Sequence, residues 1–527
     1  MKKSLLTLFA LLCVVVQGSW AQEPTASTEL EPYITTLGNR MVYKFNYPST
    51  SVTGEPIVLS SLLCCWAPTT LPEEDAAIES VHLYSHYTVT ANSQCPTSAT
   101  ASTADFVVLA SLFEGYERNE KTPYKSIVKR SIVIMPDYEG YGVTSDRVHP
   151  YLVQTVTAQQ VVDALTYGLE LYGKLNGALP LKNDWRCFSL GYSQGGAVAL
   201  AVQRYIEEKG LSDQLHFRGT LCGDGPYDLI ATLRYYMDDN GSSYDVTTDH
   251  RKDQITLPFV LPMIMNGMIV GNPAMAQHQL NDYFEQSFLD TGIMDWLNSK
   301  TMSNDDINTA WLDQIDKGTA TVGEKSYPAP QNMSEMFFKQ EVPGMLWGTQ
   351  TVAWARLDKI LTPGFYNYLK NTDNFSNAPA ETGDAYEDMR YALEANNVCT
   401  GWEPQHRIQF VHSKGDMVVP YSNYLAFRDA HADGEDNMYR VNNSFSDSDH
   451  LKSGTAFLMK LGTDFFDSFQ WIDAATPTAI KTIADVRGPK NDVWYTIDGR
   501  RIGQRSMVNG QLKPGLYIVN GHKVVIK

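Results

Sequence analysis

Between about residue 78 and residue 225 the chain alternates two hydrophobic patterns. Short, largely apolar runs at Val81–Ser85, Ser131–Met135, Arg186–Leu190 and Phe217–Cys222 have the length and composition of strands buried on both faces. Longer amphipathic stretches lie between them. From about Thr155 to Leu175, Val161, Val162, Leu165 and Leu169 recur on one side of a helix, and Gln194 to Lys209 reads as a second helix, stopped by Gly210. Asp105–Glu114, with its small residues, fits either a helix or a loop, and residues 41–66 read as extended strands at a sheet edge. Strands alternating with helices predict an α/β fold with a mostly parallel sheet.

The alternation stops after Tyr227. Residues 228–397 are helical and irregular in pattern, rich in Met, Tyr and Trp, and the strand pattern returns only at Arg407–His412. This profile predicts a large helical insertion between two strands of one sheet, dividing the core into residues 22–227 and 398–475. Met263, Met265 and Met268 sit in the most apolar part of the insertion. They serve either as its packed core or as the lining of an apolar acyl pocket, a role that suits their adaptable side chains. Residues 476–527 differ in charge. Nine Lys and Arg against three Asp give them a net +6 and leave −24 for the rest. With hairpin signals at Asp498-Gly499 and Asn520-Gly521, this tail reads as a small β module.

The chain has 527 residues, 43% hydrophobic and 11% aromatic, enough for several folded cores. Its net charge of −18 argues against a nucleic-acid partner and against anchoring on anionic lipid. Lys2 and Lys3, the apolar stretch Leu5–Val16 and the small residues around Ser19-Trp20-Ala21 predict a signal peptide over residues 1–21, cleaved before Gln22. Cys13 follows Leu12 rather than a small residue, so a lipoprotein is not expected. The later apolar stretch Leu257–Val270 is interrupted by Pro258, Pro262, Asn266 and Gly267, so no membrane span is expected. Six cysteines follow the leader: Cys64, Cys65, Cys95, Cys187, Cys222 and Cys399. An even number in an exported chain permits disulfides, with Cys95 in reach of Cys64 or Cys65. Cys187 and Cys222 read as packed thiols in strands, and no cysteine spacing suits a metal.

The chemistry centres on Gly191-Tyr192-Ser193-Gln194-Gly195, a G-x-S-x-G motif between a predicted strand and a predicted helix. A sharp strand-to-helix turn lifts a serine hydroxyl clear of the sheet, and glycines tolerate the crowding on either side. Serine is a poor nucleophile at neutral pH. It needs a histidine to take its proton and a carboxylate to fix that histidine's tautomer. Asp416 stands after Gly415 at the end of the Arg407–His412 strand, where active-site loops gather. Asp224 and Asp228 are its rivals, and Asp447 and Asp449 read as solvated loop charges. His450, 34 residues after Asp416 and ahead of the final helix, is the expected base. His412 comes too early, and His431 is the second choice. The oxyanion donors expected are the backbone N–H groups of Gln194 and of Tyr87, in the loop His86-Tyr87-Thr88. His86 either orients that loop or is a plain strand-end histidine.

With these residues, the chain resembles the secretory lipase-like branch of the α/β-hydrolases over roughly residues 75–230 and 405–455. The resemblance rests on His86, Pro136-Asp137-Tyr138, Gly140-Tyr141-Gly142, His149-Pro150-Tyr151, the Gly191–Gly195 turn, Gly225-Pro226-Tyr227-Asp228 and the Asp416 and His450 loops. It implies an α/β-hydrolase sheet with a helical lid, a Ser193, Asp416, His450 triad and ester substrates. Such enzymes usually carry His-Gly where this chain has His86-Tyr87, a departure that leaves the second oxyanion donor open. The tail, with Asp498-Gly499-Arg500-Arg501 and Gly515–Val519, resembles C-terminal sorting modules of type IX secretion and implies the type IX machinery as a partner. The leading expectation is a secreted lipase or esterase acting on a small ester or lipid, with no metal or cofactor. A serine peptidase would use the same triad, and would be favoured by lid carboxylates that recognise a peptide amine. A catalytically silent binding protein on the same scaffold is the third reading.

Overall fold

Why the apolar runs are so short and so complete becomes plain from the computed structural model, in which both faces of one large sheet are covered. The structure describes residues 24–37, 40–66, 77–98, 100, 131–237, 252–343, 348–442, 449–460 and 466–474, together with four short strands within 481–526. The sheet has nine strands: β1 (Glu31–Leu37), β2 (Arg40–Thr50), β3 (Pro56–Trp66), β4 (Ile78–Ser85), β5 (Ser131–Pro136), β6 (Leu181–Tyr192), β7 (Phe217–Gly223), β13 (Arg407–Val411) and β14 (Tyr439–Asn442), the numbers β8–β12 belonging to strands between β7 and β13. Their spatial order is β1-β2-β3-β5-β4-β6-β7-β13-β14. The first three strands and β5 pair antiparallel, and all neighbours from β5 to β14 run parallel.

Alternate residues of each central strand face opposite layers. On β5, Ile132 and Ile134 join the larger core, while Val133 and Met135 join the smaller one. The larger core lies under α1 (Gln154–Lys174) and α2 (Gln194–Glu208), which pack on β2 and on β6 and β7. On the other face Phe188, Leu190, Leu221 and Val411 meet Phe457 and Phe469 of two late helices. Strand β6 begins five residues before the apolar run that signals it. Its first part carries exposed Asn183 and Asp184 and reaches past the covering helices into solvent, so no apolar pattern marks it.

The parallel strands end together, and the loops after β4, β6, β7 and β13 gather at their carboxyl ends, where ligands bind in open α/β sheets. Between β7 and β13 the chain forms a layer that is not purely helical. It holds α3 (Leu229–Tyr235) and α4 (Val260–Gly271), but also a three-stranded sheet of β11 (Phe337–Pro343), β12 (Thr349–Arg356) and β8 (Gln254–Ile255) and a hairpin of β9 (Thr319–Val322) and β10 (Lys325–Pro328). These strands are short or half solvent-facing, which hides them from a search for apolar runs. The Leu257–Val270 stretch becomes the buried helix α4. Among the described residues no helix is long and apolar enough to cross a membrane. Met265 and Met268 are fully buried in its core, whereas Met263 lines a pocket.

The six cysteines are buried free thiols, so the disulfides that the even count permitted are not formed. Cys95 turns its thiol onto the carbonyl of Asn92 rather than toward Cys64 or Cys65. Burial pushes Cys65, Cys95 and Cys187 up to about 12, out of reach of the reactive thiolate. Dithiothreitol should therefore leave the melting temperature unchanged, because no cross-link worth about 2–4 kcal/mol is there to lose. A thermal melt with and without reductant checks this.

Residues 1–23, which carry the predicted leader, Asp105–Glu114 and Asp498-Gly499 fall outside the described residues. In the tail, four strands form one sheet, and Gly515–Val519 pairs antiparallel with His522–Ile526 across residues 520–521, where a hairpin was expected.

Candidate active site

Ser193 stands between the last residue of β6 and the first of α2 with φ 57° and ψ −125°. That backbone conformation is strained for a residue with a side chain, and it persists only because its surroundings hold it. The Ser193 N–H donates to the Gly223 carbonyl at 2.9 Å, and the Ser193 carbonyl accepts from Gly196 at 2.8 Å. The motif's glycines are required by crowding. A Cβ on Gly195 would lie 2.0 Å from the Ser85 carbonyl oxygen and 2.7 Å from that of His86, and one on Gly191 would lie 2.2 Å from the Gly195 carbonyl oxygen. All three obstacles are backbone, which cannot rotate away. Gly195→Ala should cost about 3 kcal/mol or more, by overpacking, read as a lowered urea midpoint or loss of soluble protein.

The loop after β13 and the start of α9 (His450–Lys460) bring two more side chains to Ser193. His450 Nε2 lies 2.9 Å from Ser193 Oγ, and His450 Nδ1 lies 2.5 Å from Asp416 Oδ2. The other oxygen of Asp416 accepts the N–H groups of Val418 and Val419, both at 2.8 Å. An ionised Asp416 can only accept, so Nδ1 carries the imidazole proton and Nε2 presents its lone pair to the serine. All three residues are buried. Burial opposes a charge on His450, but the attraction and hydrogen bond of Asp416, with Asp224 and Asp449 nearby, together raise its pKa above the ordinary value. Burial also pushes the Asp416 carboxyl up, against the pull of His450.

The rival residues have other partners. Asp224 accepts the Ser413 N–H at 2.7 Å, and its second oxygen lies 2.6 Å from the Tyr192 hydroxyl, which is itself 2.7 Å from the His450 carbonyl. It therefore braces both loops rather than holding the imidazole. Asp228 caps α3 through the Ala231 N–H. Asp449 accepts from Leu451 and Lys452 and so caps α9, a task beyond that of a solvated charge. Asp447 lies outside the described residues. His412 follows β13 and bonds the Val419 carbonyl, and His431 bonds that of Cys399. Asp224, Asp416 and His450 bring metal-ligand atoms close together, but those atoms are committed to each other, to amides and to Tyr192.

On the opposite side, His86 Nδ1 donates to the Tyr87 carbonyl at 2.7 Å, and its ring stacks on Tyr138 at 3.9 Å. The Tyr138 hydroxyl returns a bond to the His86 carbonyl. Burial pulls His86 down to about 4, so it stays neutral. Tyr87 follows β4 at this edge. Gln194 opens α2, where the first N–H groups lack intrahelical partners. Its side chain donates to His149 Nε2 at 2.8 Å, and His149 Nδ1 donates to the Glu139 carbonyl at 2.7 Å. This clamp, like the Tyr192–Asp224 brace, has no signal in the sequence beyond the His149-Pro150-Tyr151 motif.

No protein-family model matches the sequence, and a search of curated proteins finds no match. Solved structures do resemble it. A hydrolase candidate from Legionella pneumophila superposes with a TM-score of 0.54 at 17% identity, over 82% of this chain and 89% of that one. The rice cell wall degrading esterase LipA from Xanthomonas oryzae gives 0.52 at 19% identity, over 81% and 91%. The chain has an α/β-hydrolase fold. In this fold the serine turn follows β6, the neighbour of the central strand β4, and a long layer folds between β7 and β13.

Proposed function

We propose that this protein is an exported serine hydrolase that cleaves carboxylic esters. One observation carries the reading: the unbroken chain of hydrogen bonds from Ser193 Oγ through His450 to Asp416. Ser193 Oγ attacks the ester carbonyl while His450 Nε2 takes its proton. Asp416 holds the tautomer and stabilises the imidazolium. The N–H groups of Gln194 and Tyr87 serve the oxyanion. The imidazolium returns its proton to the leaving alcohol, and a water then repeats the sequence on the acyl-enzyme. No step needs a metal. The esterase LipA among the structural neighbours favours an ester over a peptide bond.

Export rests on the basic and apolar leader, and a sorting role for the tail rests on its charge and on Gly515–Val519. Residues 228–397 are read as the lid over this site. The test is turnover of p-nitrophenyl esters of graded chain length beside peptide p-nitroanilides, by the mature protein. Ester cleavage that is blocked by a serine-directed phosphonate supports the reading. Cleavage of anilides without ester preference replaces it with a peptidase, and no turnover of either class rejects it.

A further inference from the structure

Helix α5 (Ile293–Ser299) ends in Lys300, in the left-handed conformation at φ 54° and ψ 24°, a place that usually takes Gly or Asn. The lysine is only 9% exposed. Its ammonium lies 4.6 Å from the centre of the Tyr141 ring, and among the described residues no carboxylate forms an ion pair with it. A ring face attracts a cation but accepts none of the three hydrogen bonds an ammonium can donate, so Nζ, which is not fully enclosed, keeps them for whatever fills the space beside it. Buried lysines are otherwise paired.

What Lys300 faces is a pocket. It shares the lining with Tyr141, His149, Met263, Asn266 and Met294 in a small hollow that opens to solvent. His149, one wall of the pocket, also accepts from the side chain of Gln194, the residue that follows Ser193 in the chain. The lysine is also fixed to the segment that follows Tyr87. Its carbonyl accepts the Asn92 N–H at 2.7 Å, Thr90 Oγ1 donates to the Met302 carbonyl at 2.7 Å, and Asn304 Nδ2 donates to that of Thr88 at 3.2 Å. A strained, stitched backbone thus holds a mostly buried cation at the rim of a small pocket, whose His149 wall is bonded to Gln194. Burial pulls its pKa to about 8, with no carboxylate to raise it, so it is largely charged at neutral pH.

We infer that Lys300 forms an anion subsite beside Ser193, which takes a carboxylate borne by the ester substrate. Apolar Met263 and Met294 would cover the body of that group and Lys300 its charged end. The inference rests on the ester reading above, and it narrows the substrate to acidic esters. The carboxylate can sit on either side of the scissile bond, and two matched pairs separate the sources. p-Nitrophenyl hydrogen glutarate against p-nitrophenyl valerate places it on the acyl side. 4-Acetoxybenzoate against 4-acetoxybenzamide places it on the alcohol side.

The acidic member of one pair should be favoured in kcat/KM by roughly tenfold or more, the range of a charge-assisted hydrogen bond. Lys300→Met should bring the ratio close to one, and Lys300→Arg should keep part of it. No acidic preference in either pair, or a preference that survives Lys300→Met, overturns the subsite while leaving ester hydrolysis standing. A readout without turnover covers failure of the chemistry. Glutarate should raise the melting temperature of the wild type above that in sodium chloride of equal ionic strength, and not that of Lys300→Met. The absence of that rise overturns the subsite, whether or not esters are cleaved.

Discussion

Ser193→Ala should lower kcat/KM for a p-nitrophenyl ester by about 10⁶-fold, the loss seen when a triad serine is removed from a comparable hydrolase. The size of the effect follows from the geometry. His450 Nε2 faces Ser193 Oγ at 2.9 Å, and with that oxygen gone no hydroxyl stands where the base can take its proton. What is left is whatever the oxyanion donors and substrate binding achieve with water. Stability should hardly move. Among the described residues the Ser193 side chain bonds only His450, and alanine carries the same backbone strain at φ 57° as serine. A melting temperature within a degree or two of the wild type, together with loss of phosphonate labelling, separates a lost nucleophile from a lost fold. Full turnover in the variant would place the nucleophile elsewhere.

The serine turn is legible in the sequence because all its determinants are local. Gly191 and Gly195 are fixed by atoms within a few residues or on the adjoining strand end, and an apolar strand before and an amphipathic helix after complete the pattern. Asp416 is legible for a similar reason, since a Gly-Asp step after a buried strand marks a loop at the sheet's carboxyl edge. His450 is harder. It lies 257 residues from Ser193, and only chain order together with a helix start singles it out. Rival residues such as Asp224 and His412 carry equal local chemistry. Their partners, Ser413, Tyr192 and Val419, are set by how the β7 and β13 loops fold against each other.

The parts that escape the sequence depend on contacts between distant segments. The clamp from Gln194 through His149 to Glu139 joins residues 45 and 10 positions apart, each of them an ordinary polar residue by itself. Lys300 carries no signal in the sequence, because its burial comes from the packing of its own layer against the segment that follows Tyr87. The strands of that layer are missed because polar residues interrupt their apolar pattern: β11 carries Lys339, Gln340 and Glu341 in succession, which no apolar template detects. The thiols err in the opposite direction. Six cysteines in a chain with a leader suggest cross-links, yet five of them point into cores that are apolar enough without them, and Cys95 turns to Asn92.

Asp416→Asn should separate two roles that the native pair combines. On the proposed mechanism His450 must be neutral to accept the serine proton, so kcat/KM of the wild type should fall as the pH drops through its raised pKa. Replacing the carboxylate removes the attraction that outweighs burial, and Asp224 and Asp449 alone do not replace it. The pKa then moves down, and the acid limb of the profile moves to lower pH. At the same time the plateau should fall by about 10⁴-fold, as for the equivalent change in a known triad. The structure gives the reason. The Val418 and Val419 N–H groups claim an oxygen at the Oδ1 position, so the asparagine must turn its NH₂ toward His450 Nδ1. That nitrogen becomes the acceptor, and the proton shifts to Nε2, where it points at Ser193 and blocks the base. A pH profile of kcat/KM for both proteins reads the two effects separately. A lowered plateau with an unmoved acid limb would assign that limb to a group other than His450, and an unchanged plateau would remove Asp416 from the reaction.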